Sequence, residues 1–294
     1  MVTLSTLAPT LSIRAEEVTP RQASNSVLCL ELATQRLRIS LLDPQRRMVW
    51  LDEYAQSSVL TDQSVLAYLP ALFKEHPLLS FDEFQHVRVS VLSPAFTLIP
   101  AQLYRKEYAS SYLALMRGHQ PPPNELAHAY EHKEGFVSVF GIDRAITEFM
   151  GEQYPMQPFT YVHQHTTLIQ ATRAVDRELT SRENLFLYFE DEYVTILFRD
   201  DHQLRYCNRF GYKNVQDLTY YVLYVLDELG VDPEAVNAFV YGESTPFAES
   251  YVALSRFVPT MHIGQLPPGI NPSSELEELP EHRYLGLQGL CLLG

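Results

Sequence analysis

Apolar and polar residues follow the same order in two separate stretches of the chain. The first, "VLCLELATQRLRISLLDPQRRMVWLDEYA", runs from Val27 to Ala55. The second, "NLFLYFEDEYVTILFRDDHQLRYCNRFGY", runs from Asn184 to Tyr212. Each begins with an apolar run, passes a short polar turn, continues as an alternating run, turns again and ends in a third run. Such spacing predicts a three-strand meander. In "LRISLLD", Leu37, Ile39 and Leu41 alternate with Arg38, Ser40 and Leu42, as a sheet with one better-buried face requires. "DPQRR" carries the residues of a turn. Each meander leads into a helical stretch and a further strand, so the pattern reads as an internal duplication.

The remaining pattern fills in the order of elements. A helix is expected over Asp62 to Phe73, with Pro70 expected to kink or split it. Strands are expected at His86–Leu92 and Phe96–Pro100, and a helix at Lys106–Arg117 carrying Tyr108, Tyr112, Leu115 and Met116. The loop "GHQPPPNE" ends that helix. "LAHAYEHKEGFVSVFGI" reads as a hairpin, Asp143–Gly151 as a helix, "FTYVH" as a strand and Thr166–Leu179 as a helix. After the second meander, Val215–Leu229 reads as a helix capped by Asn214 and ended by Gly230. Leu218, Val222, Val225 and Leu229 form one apolar stripe on it. Tyr220, Leu223 and Tyr224 add another side, which marks the tyrosines as a candidate protein interface. "AVNAFVYGEST" is a strand and turn, Pro246–Phe257 a helix, "TMHIGQL" a short strand, and "RYLGLQGLCLLG" a closing apolar helix.

Composition narrows the classes of function. Among 294 residues, 36 Asp and Glu outweigh 22 Lys and Arg, giving a formal charge of −14. That balance argues against nucleic acid and against anionic membrane surfaces. No run approaches the ~20 apolar residues of a bilayer span, and the first twenty residues do not read as a secretory leader. Cys29, Cys207 and Cys291 are far apart and form no C-x-x-C, which suits small buried residues in a reducing cytoplasm. Residues 1–25 read as a flexible extension. No glycine precedes Gly118, so the whole first meander is built without one.

Few residues cluster in ways that carry chemistry. His128, Glu131 and His132 have helical ligand spacing, but the predicted strand points His128 and Glu131 to opposite faces. His163 and His165 share a face at a strand end and lack a third ligand. Glu190, Asp191 and Glu192 form an acidic run best read as a solvated turn. No P-loop, G-x-G-x-x-G or G-x-S-x-G occurs.

The order of a meander, helix and strand, given twice, resembles the actin-like ATPase superfamily. "FVSVFGIDRAITEFMGEQYPMQPFTYVHQHTTLIQA" resembles the crossover of the pilus-assembly and secretion-platform members, and "FVYGEST" the strand and turn of the adenosine motif. "PEHRYLGLQGLCLLG" resembles the superfamily's closing helix. "HVRVSVLSPAFTLIPAQLYRKE" is similar to a bacterial domain of unknown function with this fold. The resemblance implies an α/β protein of duplicated ribonuclease-H-like, actin-like subdomains, with mixed sheets flanked by helices. The halves would cover 26–160 and 161–280, with a closing helix at 281–294 returning to the first.

Active members of that superfamily carry Asp and Gly in the first hairpin, where phosphate meets bare amides and a metal's water shell is held. Here the hairpin reads "ELATQR", with Glu31 near the Asp position, Thr34 in the turn and no glycine. The second hairpin places Glu190 and Asp191 there. The adenosine turn keeps Gly242 and replaces its companion glycine with Glu243. The resemblance therefore implies a pseudo-ATPase without cofactor, acting through a protein partner or self-association. The alternative is an ATP- and Mg-dependent switch using Glu31, Thr34, Glu190, Asp191 and Gly242.

Overall fold

The computed structural model describes residues 8–15, 17–33, 36–55, 69–190 and 192–293. Contacts divide them into two compact units. One comprises the chain up to Thr166 together with Ile270–Glu278, the other Thr167–Gly269 together with the chain from Leu279.

The first unit begins with β1 (Leu11–Arg14), a short helix α1 (Pro20–Ala23) and the first meander, β2 (Val27–Leu32), β3 (Arg36–Leu42) and β4 (Arg47–Ala55). It continues through α2 (Leu69–Glu75), β5 (His86–Val91), β6 (Phe96–Pro100), α3 (Ala109–Arg117), β7 (Glu125–His132), β8 (Phe136–Asp143), α4 (Arg144–Gln153) and β9 (Phe159–His163). Its main sheet has the order β1-β4-β3-β2-β5-β9. The meander is antiparallel, and β5 and β9 extend it in parallel. Leu28, Leu30, Leu32, Ile39, Val87 and Val89 fill one face, where Phe73, Phe84 and Tyr154 complete the core. A second, antiparallel sheet, β6-β8-β7, packs α3 through Leu113, Val137 and Val139.

The helix α5 (Gln164–Asp176) leads into the second meander, β10 (Glu183–Glu190), β11 (Tyr193–Asp200) and β12 (Gln203–Gly211). Then follow α6 (Val215–Leu229), β13 (Asn237–Gly242), α7 (Glu249–Leu254) and β14 (Met261–Ile263). The order β12-β11-β10-β13-β14 repeats that of the first sheet, with an antiparallel meander extended in parallel from its first strand. Both predicted meanders therefore form, and in the same strand order. The β11–β12 turn places Asp201 and His202 at φ 51° and 60°, the left-handed pair of a tight hairpin. Asp and His tolerate that region better than most side chains.

Several elements depart from the sequence pattern. Most of the expected Asp62–Phe73 helix lies outside the described residues. The described part begins at Leu69, and Pro70 occupies its second position. There the missing N–H has no intrahelical partner to lose, so no kink follows. Glu249–Leu254 is shorter than the expected Pro246–Phe257, because Thr245–Ala248 closes a turn first. The segment that returns to the first unit is Ile270–Glu278, where β15 (Asn271–Pro272) adds to the edge of β4. The closing helix α8 (Leu285–Cys291), expected to return there, groups with the second unit. Gly289 lies so close to the Thr167 carbonyl that a β-carbon would collide with it.

Candidate functional site

The first hairpin sets its own electrostatics through register. Glu31 on β2 lies directly opposite Arg38 on β3, and Arg38 directly opposite Glu53 on β4; Ser90 on β5 completes the row. Side chains opposite one another on one face are the natural contact pairs of a sheet. Arg38 Nη1 donates to Glu31 Oε2 at 3.0 Å and its Nε to Glu53 Oε2 at 2.7 Å. Gln164 Nε2 reaches the other oxygen, Glu31 Oε1, at 3.4 Å. Glu31, Arg38 and Glu53 are 3, 1 and 3 % exposed. Both carboxylate oxygens of Glu31 are thus held by the chain itself, in the position where the resemblance places a metal-facing acid. Thr34 lies outside the described residues.

The second hairpin repeats the device. Glu190, at the end of β10, is buried and ion-paired with Arg209 of β12, Oε2 to Nη2, at 3.8 Å. The Arg209 guanidinium lies 3.8 Å above the centre of the Tyr193 ring, which fixes it against that aromatic face. Glu190 is therefore not part of a solvated turn, as the acidic run suggested, whereas Glu192 is exposed. Asp191 lies outside the described residues.

The third turn, after β13, follows suit. Gly242 has φ 83°, and a β-carbon there would strike the Phe189 carbonyl at the end of β10. Glu243 N donates to that same carbonyl at 2.9 Å, so the turn is folded tightly onto β10 and needs glycine for that reason alone. The Glu243 carboxylate accepts from Arg283 Nε at 3.1 Å. In all three places where sequence marked an eroded nucleotide motif, a glutamate is matched by an arginine of the chain. The partners Arg38, Arg209 and Arg283 escaped the sequence reading. Arg38 was accessible, because the antiparallel register of β2 and β3 sets Glu31 opposite it. Arg209 and Arg283 depend on packing that no local pattern carries.

The histidine groups are held by aromatic contacts and hydrogen bonds of the chain. β7 is a strand, and His128 lies against Phe140 and Tyr161; burial lowers its pKa. His132 stacks on Phe136 and bonds Ser138 Oγ at 2.6 Å. His163 Nδ1 accepts from His165 N, which leaves its Nε2 proton for Ser93 O at 2.9 Å. Among the described residues no group of His, Cys, Asp or Glu is arranged to hold a metal ion.

On α6 the two sides of the helix separate cleanly. Leu218, Val222, Val225 and Leu226 are buried in the core of the second unit. Tyr220 and Tyr224 are 62 and 46 % exposed, and their rings stack at 5.8 Å and 17°. The negative charge of Glu228 one turn on raises the Tyr224 pKa. Elsewhere in the unit, a half-open cavity of ≈ 440 Å³ beside β14 is lined by Phe239, Tyr241, Tyr251 and His262. Its phenols donate to the Gln265 and Met261 carbonyls.

A family model described as a protein of unknown function (DUF3822) matches residues 15–261. The chain belongs to the DUF3822 family. Among solved structures, this DUF3822 member is similar to a protein with actin-like ATPase fold and unknown function from Bacteroides thetaiotaomicron. The identity is 22 % over 95 % of this chain and 100 % of that one, with a TM-score of 0.77. It is also similar to a chain of the PilM–PilN type IV pilus biogenesis complex, at 13 % identity over 90 % of this chain and 97 % of that one, with a TM-score of 0.65. No curated protein matches it significantly. The DUF3822 member thus has the actin-like ATPase fold, as the duplicated meanders led one to expect, and no helix among its described residues is long and apolar enough to cross a membrane.

Proposed function

We propose that this protein is a pseudo-ATPase: an actin-fold protein that acts by protein interaction or regulation and needs no nucleotide. The observation that carries the reading is the arginine at each eroded motif. A magnesium ion at Glu31 would have to displace Arg38 from a pair of buried carboxylates, and separating a buried charge pair costs about 3–5 kcal/mol. Triphosphate would then approach a hairpin with no glycine to bare its amides. The exposed tyrosines of α6 are the surface we assign to a partner, since tyrosine joins a large apolar face to a polar tip. The PilM–PilN complex supports the reading, as a protein of this fold engaged with a protein. The net charge of −14 disfavours nucleic acid, and three free cysteines fit a place in the cytoplasm.

The direct test is phosphate release from Mg-ATP by the purified chain, beside a Glu31→Gln variant. We expect both at the level of the blank. Steady turnover by the wild type, lost in the variant, would establish an ATP-dependent switch instead.

A further inference from the structure

We propose that the half-open cavity beside β14 binds a small, uncharged, planar ring carrying a lactam edge, an N–H beside a C=O, and that the backbone of Ile263 recognises it. Its lining includes none of Glu31, Glu190, Gly242 and Glu243, the residues of the eroded motifs.

β14 is the last strand of its sheet. Ala238 N donates to Thr260 O at 3.2 Å and Gly264 N to Val240 O at 2.9 Å, with Ala238 opposite Met261 and Val240 opposite Ile263. In a parallel pair that pattern gives Thr260, His262 and Gly264 to β13 and turns the amide groups of Met261 and Ile263 out to the free edge. Side chains alternate too. Ala238, Val240, Met261 and Ile263 pack in the core of the unit with Tyr251. Phe239 and His262 point to the other face, their rings 6.0 Å apart. The cavity is lined from both sets, so it wraps around the edge of β14.

That edge is closed at both ends. Tyr251 Oη donates to Met261 O at 2.9 Å, and Tyr241 Oη to Gln265 O at 3.2 Å. The Tyr241 ring lies against Gly264, where a β-carbon would collide with it, and burial raises its pKa, so the phenol stays a donor. Ile263, between the two capped carbonyls, keeps its N–H and C=O at the open edge. An added β-strand would need the carbonyls of alternate residues along the edge, and two of them are taken. What is left is one donor and one acceptor on a single extended residue, the complement of a lactam.

Size and charge narrow the guest further. A volume of ≈ 440 Å³ lies toward the small end of ligand pockets, about 300–1,000 Å³, and equals the space of roughly fifteen waters at ~30 Å³ each. One or two fused rings fill it. None of the residues lining it is Asp, Glu, Lys or Arg, so a charged guest would lose its hydration without a counter-ion. His262 and Tyr251, on opposite faces of the sheet, supply an aromatic ring to each side of a planar guest.

The probe is isoquinolin-1-one, a neutral two-ring lactam, titrated into the full chain while backbone amide signals are followed by NMR. Its N-methyl derivative, which keeps the ring and loses the donor, is the control. We expect saturable binding of the lactam with the Ile263 amide among the shifted signals. The N-methyl derivative should bind about tenfold more weakly, the cost of leaving a sheltered acceptor unpaired. His262→Ala changes an exposed side chain and should weaken lactam binding about three- to tenfold by removing one ring face. No binding to the wild type at several millimolar overturns the proposal. So does equal affinity for the two probes, or binding that leaves the Ile263 amide or the His262→Ala affinity unchanged. Displacement of the lactam by a blocked pentapeptide of alternating valine and threonine would show strand addition instead and overturn it as well. If His262→Ala melts early, the comparison of the two probes on the wild type decides alone.

Discussion

Arg38 holds two carboxylates at once, Glu31 at 3.0 Å and Glu53 at 2.7 Å, with almost no water near any of the three. Arg38→Met should therefore lower stability by about 3–5 kcal/mol in denaturant melts, because it strands two buried charges. Glu31→Leu/Arg38→Met/Glu53→Leu should recover part of that loss, since it removes the two stranded carboxylates while taking a partner from Gln164 Nε2 and from Arg36, which lies 4.0 Å from Glu53. If the triple variant is as unstable as the single one, the row does more than balance its own charges. Asp52 offers a check by pH. Its burial pushes its pKa up, but bonds from His76, Ser12 and Trp50 outweigh this and the net shift is down. His76 Nδ1 accepts from Leu78 N and Leu79 N, so its Nε2 proton points at Asp52, 2.8 Å away. A lowered carboxylate contributes stability that is present above its unfolded pKa of ~3.9 and is lost as pH falls through the folded value. Asp52→Asn should accordingly flatten the acid limb of urea midpoints below about pH 4. The sequence showed these glutamates as departures from a nucleotide motif. It did not show their partners, because only Arg38 is fixed by local hairpin register.

The elements that were legible are those whose boundaries are set by neighbouring residues. Asn214 accepts from Asp217 N at the start of α6, and Gly230 closes it at φ 67°, as the capping pattern required. The hairpins β2–β3 and β7–β8 followed from alternation and turn residues. Elements governed by distant contacts were read less well. The acidic turn at Glu190 looked solvated because Arg209 lies on another strand. The destination of α8 depends on a glycine contact with Thr167 that no periodicity reveals. Every residue of α8 is buried, including Leu285, Leu287 and Leu290. Ending the chain at His282 should unfold the protein at 25 °C or nearly so. Three leucines at about 1.5–3 kcal/mol each approach the whole stability of a typical domain. A truncated chain with an unchanged urea midpoint would show that α8 packs for some other purpose. Gly289→Ala gives the same answer more gently, through loss of midpoint without loss of chain.

For the whole molecule, the duplicated meander was the strongest signal in the sequence, and it recurs as two sheets with one strand order. It carried the actin-like fold because strand order is a property of pattern. It carried less about activity, which depends on whether three carboxylates face a metal or face arginine. The measurement that decides this is calorimetric titration of Mg-ATP into the full chain, repeated with Glu31→Gln. A site that binds at 100 times below the ligand concentration would add about 2.7 kcal/mol to stability, well within reach of a parallel thermal melt. The expected result is no heat of binding and no shift in melting temperature at millimolar Mg-ATP, for either protein. Micromolar binding by the wild type that disappears in Glu31→Gln would contradict it, and would mean that Arg38 yields its carboxylate to a metal ion.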